Sequence, residues 1–98
     1  MRYLGIDFGL RHVGLAIADG PLAEPLGEKK YLDLGKLFNY LKRVGEEQEI
    51  DKIIMGLPEG KLAETVKKFG DDLTSFTGLE VIYQDETLST QEARLKLI

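Results

Sequence analysis

Apolar positions follow two different periods along this chain, and the change falls at Asp33. Before it, residues 2–8 are mostly apolar with weak alternation, as in a central strand. Residues 13–18 (Val-Gly-Leu-Ala-Ile-Ala) form a second apolar run. The two make a hairpin around Gly9–His12, and Asp19-Gly20-Pro21 reads as the next turn. Residues 26–32 are a third strand, interrupted by Gly27 and the charged Glu28-Lys29-Lys30. After Asp33, Leu34, Leu37, Phe38, Leu41 and Val44 recur at helical spacing, with Asp33 placed to cap the start and Gly45 near the end. Residues 50–55 return to a short apolar run, closed by Gly56-Leu57-Pro58, where proline favours extended geometry at Leu57.

A second amphipathic helix is predicted over residues 61–76 from Leu62, Val66, Phe69, Leu73 and Phe76. Gly70 sits inside it at a cost of about 1 kcal/mol relative to Ala, which close packing against a sheet would explain. Gly78 terminates it. Leu79–Tyr83 is the last strand, and Asp85-Glu86 follow at its end. Ser89-Thr90-Gln91-Glu92 is a capping box that starts a further helix near Thr90. The order β-β-β-α-β-α-β-α describes an α/β fold: a mixed sheet with helices packed on it.

Composition narrows the class of protein. Ninety-eight residues at 43% apolar suit one domain, 1–98, with a single core. The absence of cysteine excludes disulfides and thiolate metal sites, and a reducing cytoplasm is the expected location. No apolar run approaches the roughly 20 residues of a membrane span. The N-terminus does not read as a secretion signal. Thirteen basic against seventeen acidic residues leave a net charge of -4, so nucleic-acid binding requires a local basic patch. Arg2, Arg11, His12, Lys29 and Lys30 are the candidates for one. Leu95, Leu97 and Ile98 give an apolar end that would pack on its own sheet or on another subunit, and a homodimer is expected.

The chemistry concentrates at strand ends. In open α/β sheets ligands bind outside the carboxyl ends of the parallel strands. Asp7 ends the first strand, Gly56-Leu57-Pro58 the fourth, and Asp85-Glu86 the fifth. Parallel alignment would bring these loops to one edge and let Asp7 and Glu86 share a metal ion. Mg²⁺ takes oxygen ligands at about 2.1 Å and keeps several waters. Two such ions about 3.5–4 Å apart support phosphodiester hydrolysis. Gly5 and Gly9 would admit a phosphate close to the backbone, and Arg11 could hold a phosphate oxygen. Duller readings stay open beside these: Asp7 as a turn former, Asp85 and Glu86 as solvated acids, Arg11 as an exposed turn residue. His12, the only histidine, could donate a proton but has no second histidine for a zinc set. Neither a dinucleotide glycine fingerprint nor a Walker-type loop is present.

Three blocks taken together resemble the YqgF family, also called RuvX, the pre-16S rRNA nuclease family of the ribonuclease-H-like fold, described as a relative of Holliday junction resolvases. They are Leu4-Gly5-Ile6-Asp7-Phe8-Gly9 with Arg11 and Val13-Gly14-Leu15-Ala16; Ile54-Met55-Gly56-Leu57-Pro58; and Asp85-Glu86-Thr87-Leu88-Ser89-Thr90 with Ala93. Pro25-Leu26 resembles a short pair after the hairpin. The resemblance implies Asp7 and Glu86 as metal-binding catalytic acids, with Mg²⁺ or Mn²⁺ as cofactor. It implies Arg11 as a phosphate-binding cation, Asp85 as a supporting acid, and RNA or branched DNA as substrate in the bacterial cytoplasm.

Two departures stand out. Thr87 occupies a place where the family has arginine. The family's further carboxylate, in a Val-Asp-x-x-Ala-Ala-like segment at a final helix, has no counterpart in the twelve residues after Glu86, none of which is Asp. Two functions are therefore expected in competition: a metal-dependent nuclease, and a non-catalytic nucleic-acid or ribosome-assembly binding domain. A third reading, a piece of an actin-like ATPase or sugar kinase, shares the Asp-x-Gly hairpin but requires a second domain.

Overall fold

A computed structural model describes residues 1–85. Strands β1 (Arg2–Phe8), β2 (His12–Asp19) and β3 (Leu22–Lys30) form the expected meander. Helix α1 (Leu34–Glu47), strand β4 (Lys52–Leu57), helix α2 (Lys61–Thr77) and strand β5 (Glu80–Asp85) follow in order. The sheet runs β3-β2-β1-β4-β5, with β1, β4 and β5 parallel and the hairpin partners antiparallel. Seven of the eight predicted elements thus occur in sequence. The eighth, the helix from Thr90, lies outside the described residues.

Strand alternation decides which face is buried. Leu4 and Ile6 of β1 stand level with Ile17 and Leu15 of β2 and with Ile53 and Met55 of β4. All six are buried with Leu37, Leu41 and Val44 of α1 and Val66, Phe69 and Leu73 of α2. Both helices therefore pack on one face. Tyr3, Gly5, Asp7, Ala16, Ile54, Ile82 and Gln84 fall on the other, which nothing covers among the described residues. The ends of α1 and α2 match the sequence signals. The Asp33 carboxylate accepts the Lys36 backbone N–H at 3.1 Å, and Gly78 closes α2 in the left-handed region at φ 78°. A run of rings crosses the helical layer. Phe8 stacks on Tyr31 and on Phe69, with centroids 6.1 and 4.4 Å apart, and Phe38 links Phe69 to Phe76 at 5.1 and 5.8 Å.

The third strand begins at Leu22, four residues before the predicted start. The register shifts opposite Leu15 and Ala16, which pair with Gly27 and Pro25 and leave Leu26 as an extra residue. Gly27 adopts φ 94°, as a bulge of this kind requires. The feature that weakened the strand pattern is thus the device that lets the strand continue.

Gly70 is explained by Tyr83. The phenol of β5 lies directly over it, and its one hydroxyl proton is shared between the Lys67 carbonyl at 2.9 Å and Asp71 at 3.1 Å. Alanine at 70 would gain about 1 kcal/mol of helix propensity. It would displace the ring at an overpacking cost of about 1–3 kcal/mol and loosen a hydrogen bond worth about 1 kcal/mol. Gly70→Ala is expected to lower unfolding stability by about 1–3 kcal/mol by urea titration. In a Tyr83→Val background the same change should become stabilising.

Burial, and then the hydrogen bond to and charge of Asp71, push the Tyr83 phenol up to about 12. Tyr31 is raised by burial too. An unfolded tyrosine loses its proton near pH 10, about two units below folded Tyr83. The stabilisation is therefore complete below pH 10 and disappears as pH rises to about 12. Urea midpoints should fall across that window, and Tyr83→Phe should flatten the fall.

Candidate active site and basic rim

Asp7 is held at the carboxyl end of β1, exposed on the open face. Its partner on β2 is Gly14. Continuing the Ile6↔Met55 register by one residue sets it beside Gly56 on β4, and Gly56 pairs with Gln84 on β5. A row Gly14–Asp7–Gly56–Gln84 therefore crosses the sheet, with no side chain on either strand flanking the carboxylate. A Cβ added at Gly14 would meet the Asp7 Cβ at 3.5 Å. The sequence pattern presented Gly14 and Gly56 as strand and turn residues. Their shared level with Asp7 appears only in the register.

The turn after Asp7 is tightly tied. Gly9 N–H donates to the His12 carbonyl at 2.9 Å, and a Cβ on Gly9 would sit 2.8 Å from that oxygen. Glycine is thus required there by the turn itself. The Tyr31 hydroxyl donates to the Gly9 carbonyl at 2.6 Å, and Tyr31 N–H to the Arg11 carbonyl at 3.0 Å. Tyr31, which the sequence did not single out, clamps the loop while its ring stacks on Phe8. Arg11 and His12 are exposed beside this clamp.

The three parallel strands end at one edge, as expected: Leu57 and Asp85 are paired there, one level beyond Asp7. Glu86 lies outside the described residues. Among the described residues no three acidic or histidine side chains converge on a metal position. The hard oxygen donor of Asp7, open to solvent and flanked by glycines, suits a cation such as Mg²⁺ that keeps much of its water.

The basic patch is real but differently composed. Arg11, His12, Lys29 and Lys30 line a groove of about 850 Å³ together with Lys36 and Arg43 of α1. Arg2 is not part of it. It lies at the far end of β1, level with Asp19, where its backbone N–H bonds Asp51 at 2.7 Å and its guanidinium reaches Gln48 at 3.3 Å. A seven-residue strand is about 20 Å long, so the two ends of β1 cannot share a patch. Lys36 and Arg43 were legible as residues seven apart on one helix face, away from the Leu37–Leu41–Val44 stripe.

Known proteins resemble this chain throughout. Residues 1–98 match the family RuvX, described as Holliday junction resolvase. An Agathobacter rectalis protein named "Putative pre-16S rRNA nuclease" is 41% identical, the match covering 95% of this chain and 73% of the relative. One of the same name from Streptococcus thermophilus is 37% identical over 100% of this chain and 78% of its own. In structure, RuvC of T. thermophilus in complex with Holliday junction substrate superposes with a TM-score of 0.68 at 18% identity, covering 93% of this chain and 68% of that one. At that identity the likeness establishes the ribonuclease-H-like fold.

Proposed function

The chain belongs to the RuvX family along its whole length, and on that premise we propose that it is a divalent-metal-dependent nuclease that hydrolyses phosphodiester bonds in structured nucleic acid. Its substrate is the 5′ end of precursor 16S rRNA or branched DNA, met in the bacterial cytoplasm. The observation that carries this reading is the glycine-flanked, exposed carboxylate of Asp7 at the edge where the three parallel strands end. Asp7 and Glu86 would hold Mg²⁺ or Mn²⁺. When bound, the ion supplies Lewis acidity toward the phosphate and acidifies water. Arg11, on the turn tied down by Tyr31, engages a non-bridging phosphate oxygen and positions the backbone without reading bases. His12 is placed beside it, where it can donate a proton to a leaving oxygen. Asp85 supports the same edge.

A second reading is favoured by one observation: among the described residues no group of three acidic or histidine side chains gathers at a metal position. On this reading the domain binds nucleic acid or assembling ribosomal particles and does not cut. The assay that separates them incubates the purified chain with end-labelled precursor 16S rRNA and a four-way DNA junction, in Mn²⁺ and in EDTA. Cleavage in Mn²⁺ that EDTA abolishes supports the nuclease. Binding without cleavage in either condition supports the binding domain. Neither binding nor cleavage rejects both.

A further inference from the structure

We infer that the groove between β3 and α1 holds the phosphodiester backbone of the nucleic-acid strand that flanks the bond at Asp7. This rests on the nuclease reading above and adds the path of the substrate. The protein carries a net charge of -4, yet Arg11, Lys29, Lys30, Lys36 and Arg43 gather around this one hollow. Among the described residues Asp33 is the single acid lining it, and that carboxylate is engaged by the Lys36 backbone N–H. Among the described residues, ion pairs join Lys52 to Glu80 and Lys68 to Asp72, and none involves the five groove cations. Within the described residues no acid side chain neutralises their charge.

The shape selects a polyanion over a small anion. The cations come from the turn after β1, the end of β3 and α1. Lys36 and Arg43 are separated by about 10 Å along the helix axis. Charges spread over such an open surface suit a ligand with several phosphates. The two tyrosines in the groove already have partners. Lys29 Nζ sits 4.7 Å from the centre of the Tyr40 ring, and Tyr31 spends its hydroxyl on Gly9 and its ring face on Phe8. The cations outnumber the aromatic rings here, so the main contact is with the phosphate backbone, which carries no sequence information. Continuity with the site is direct. Arg11 and His12 line the groove and also follow Asp7 in the tight turn. A strand presented to Asp7 on the open face crosses the rim there and continues along α1.

The test uses the full chain in EDTA with a labelled single-stranded RNA oligonucleotide, binding being followed by anisotropy at several salt concentrations. Lys36→Gln with Arg43→Gln should weaken binding about tenfold at low salt and reduce the slope of log affinity against log salt by about 1.4. Lys67→Gln with Lys68→Gln, an equal charge change on α2, should alter neither. All four side chains are exposed, so folding should be preserved. Equal losses in the two pairs would overturn the groove assignment by reducing it to net charge. Undiminished binding by the groove variant would overturn it while leaving the nuclease reading intact. Absence of RNA binding by the unaltered chain would remove the premise. Groove-dependent binding of polyglutamate in place of RNA would overturn the inference in favour of an acidic protein partner.

Discussion

Asp7→Asn should reduce metal-dependent cleavage by about a hundredfold or more, the scale on which loss of one preorganised charge-stabilising group acts. The substitution keeps size and shape but removes the negative charge, the property a hard cation requires. Asp7 is exposed and its neighbours across the sheet are glycines, so the carboxylate supports no packing. Folding stability should stay within about 0.5 kcal/mol of the parent, as for surface substitutions generally. RNA affinity in EDTA should also persist, because the groove cations are untouched. The combination matters: turnover lost, fold and binding kept. Cleavage at the parental rate by the Asn form would eliminate Asp7 as a catalytic group. Loss of binding together with turnover would assign it to substrate recognition.

Phe69→Ala should cost about 3–5 kcal/mol of unfolding free energy, a large share of the 5–15 kcal/mol typical of a domain. Phe69 is 4% exposed and lies between Phe8 and Phe38, at 4.4 and 5.1 Å. Truncation leaves a void where α1, α2 and β1 meet, and two flanking rings lose their partner. Phe69→Leu retains most of the volume and should cost about 1.5 kcal/mol or less. Urea unfolding of both variants measures the difference. A loss under about 1 kcal/mol in the Ala form would show that the surrounding rings close the space and that the stack is not the centre of the core. Because Phe8 follows Asp7 directly, this packing also fixes where β1 ends. The Ala variant should therefore lose activity at temperatures below its own melting transition.

How far the sequence could be read depended on whether the signal was local. The stripe Leu37–Leu41–Val44 marks α1 because helical spacing is written along one segment. The same holds for Val66–Phe69–Leu73 in α2. Asp33 and Gly78 are legible as caps because each acts on the backbone within a few residues. The bulge in β3 was hidden, since Pro25 and Gly27 look like strand breakers until β2 is seen to pair on both sides of Leu26. The cause of Gly70 was partly hidden: close packing was legible, but the phenol came from thirteen residues away. At the candidate site, Asp7 and its edge were legible from strand ends. The glycine row beside it depends on register between three strands, and the clamp from Tyr31 depends on where β3 finishes. The basic groove combines pairs of cations from separate elements, which no window along the chain contains. Proximity in sequence order wrongly added Arg2 and omitted Lys36 and Arg43.

The irregular β3 has a consequence for life at high concentration. It is an outer strand whose nine residues are all exposed, with Leu22 and Leu26 open to water. A straight border of that kind invites a neighbouring molecule to add a strand of its own, and then another. Pro25 withholds one amide from any such newcomer, and the extra residue at Leu26 throws the remaining amides out of step. The same kink that keeps the meander paired on its inner side thus makes its outer side a poor template, guarding the molecule against runaway polymerisation.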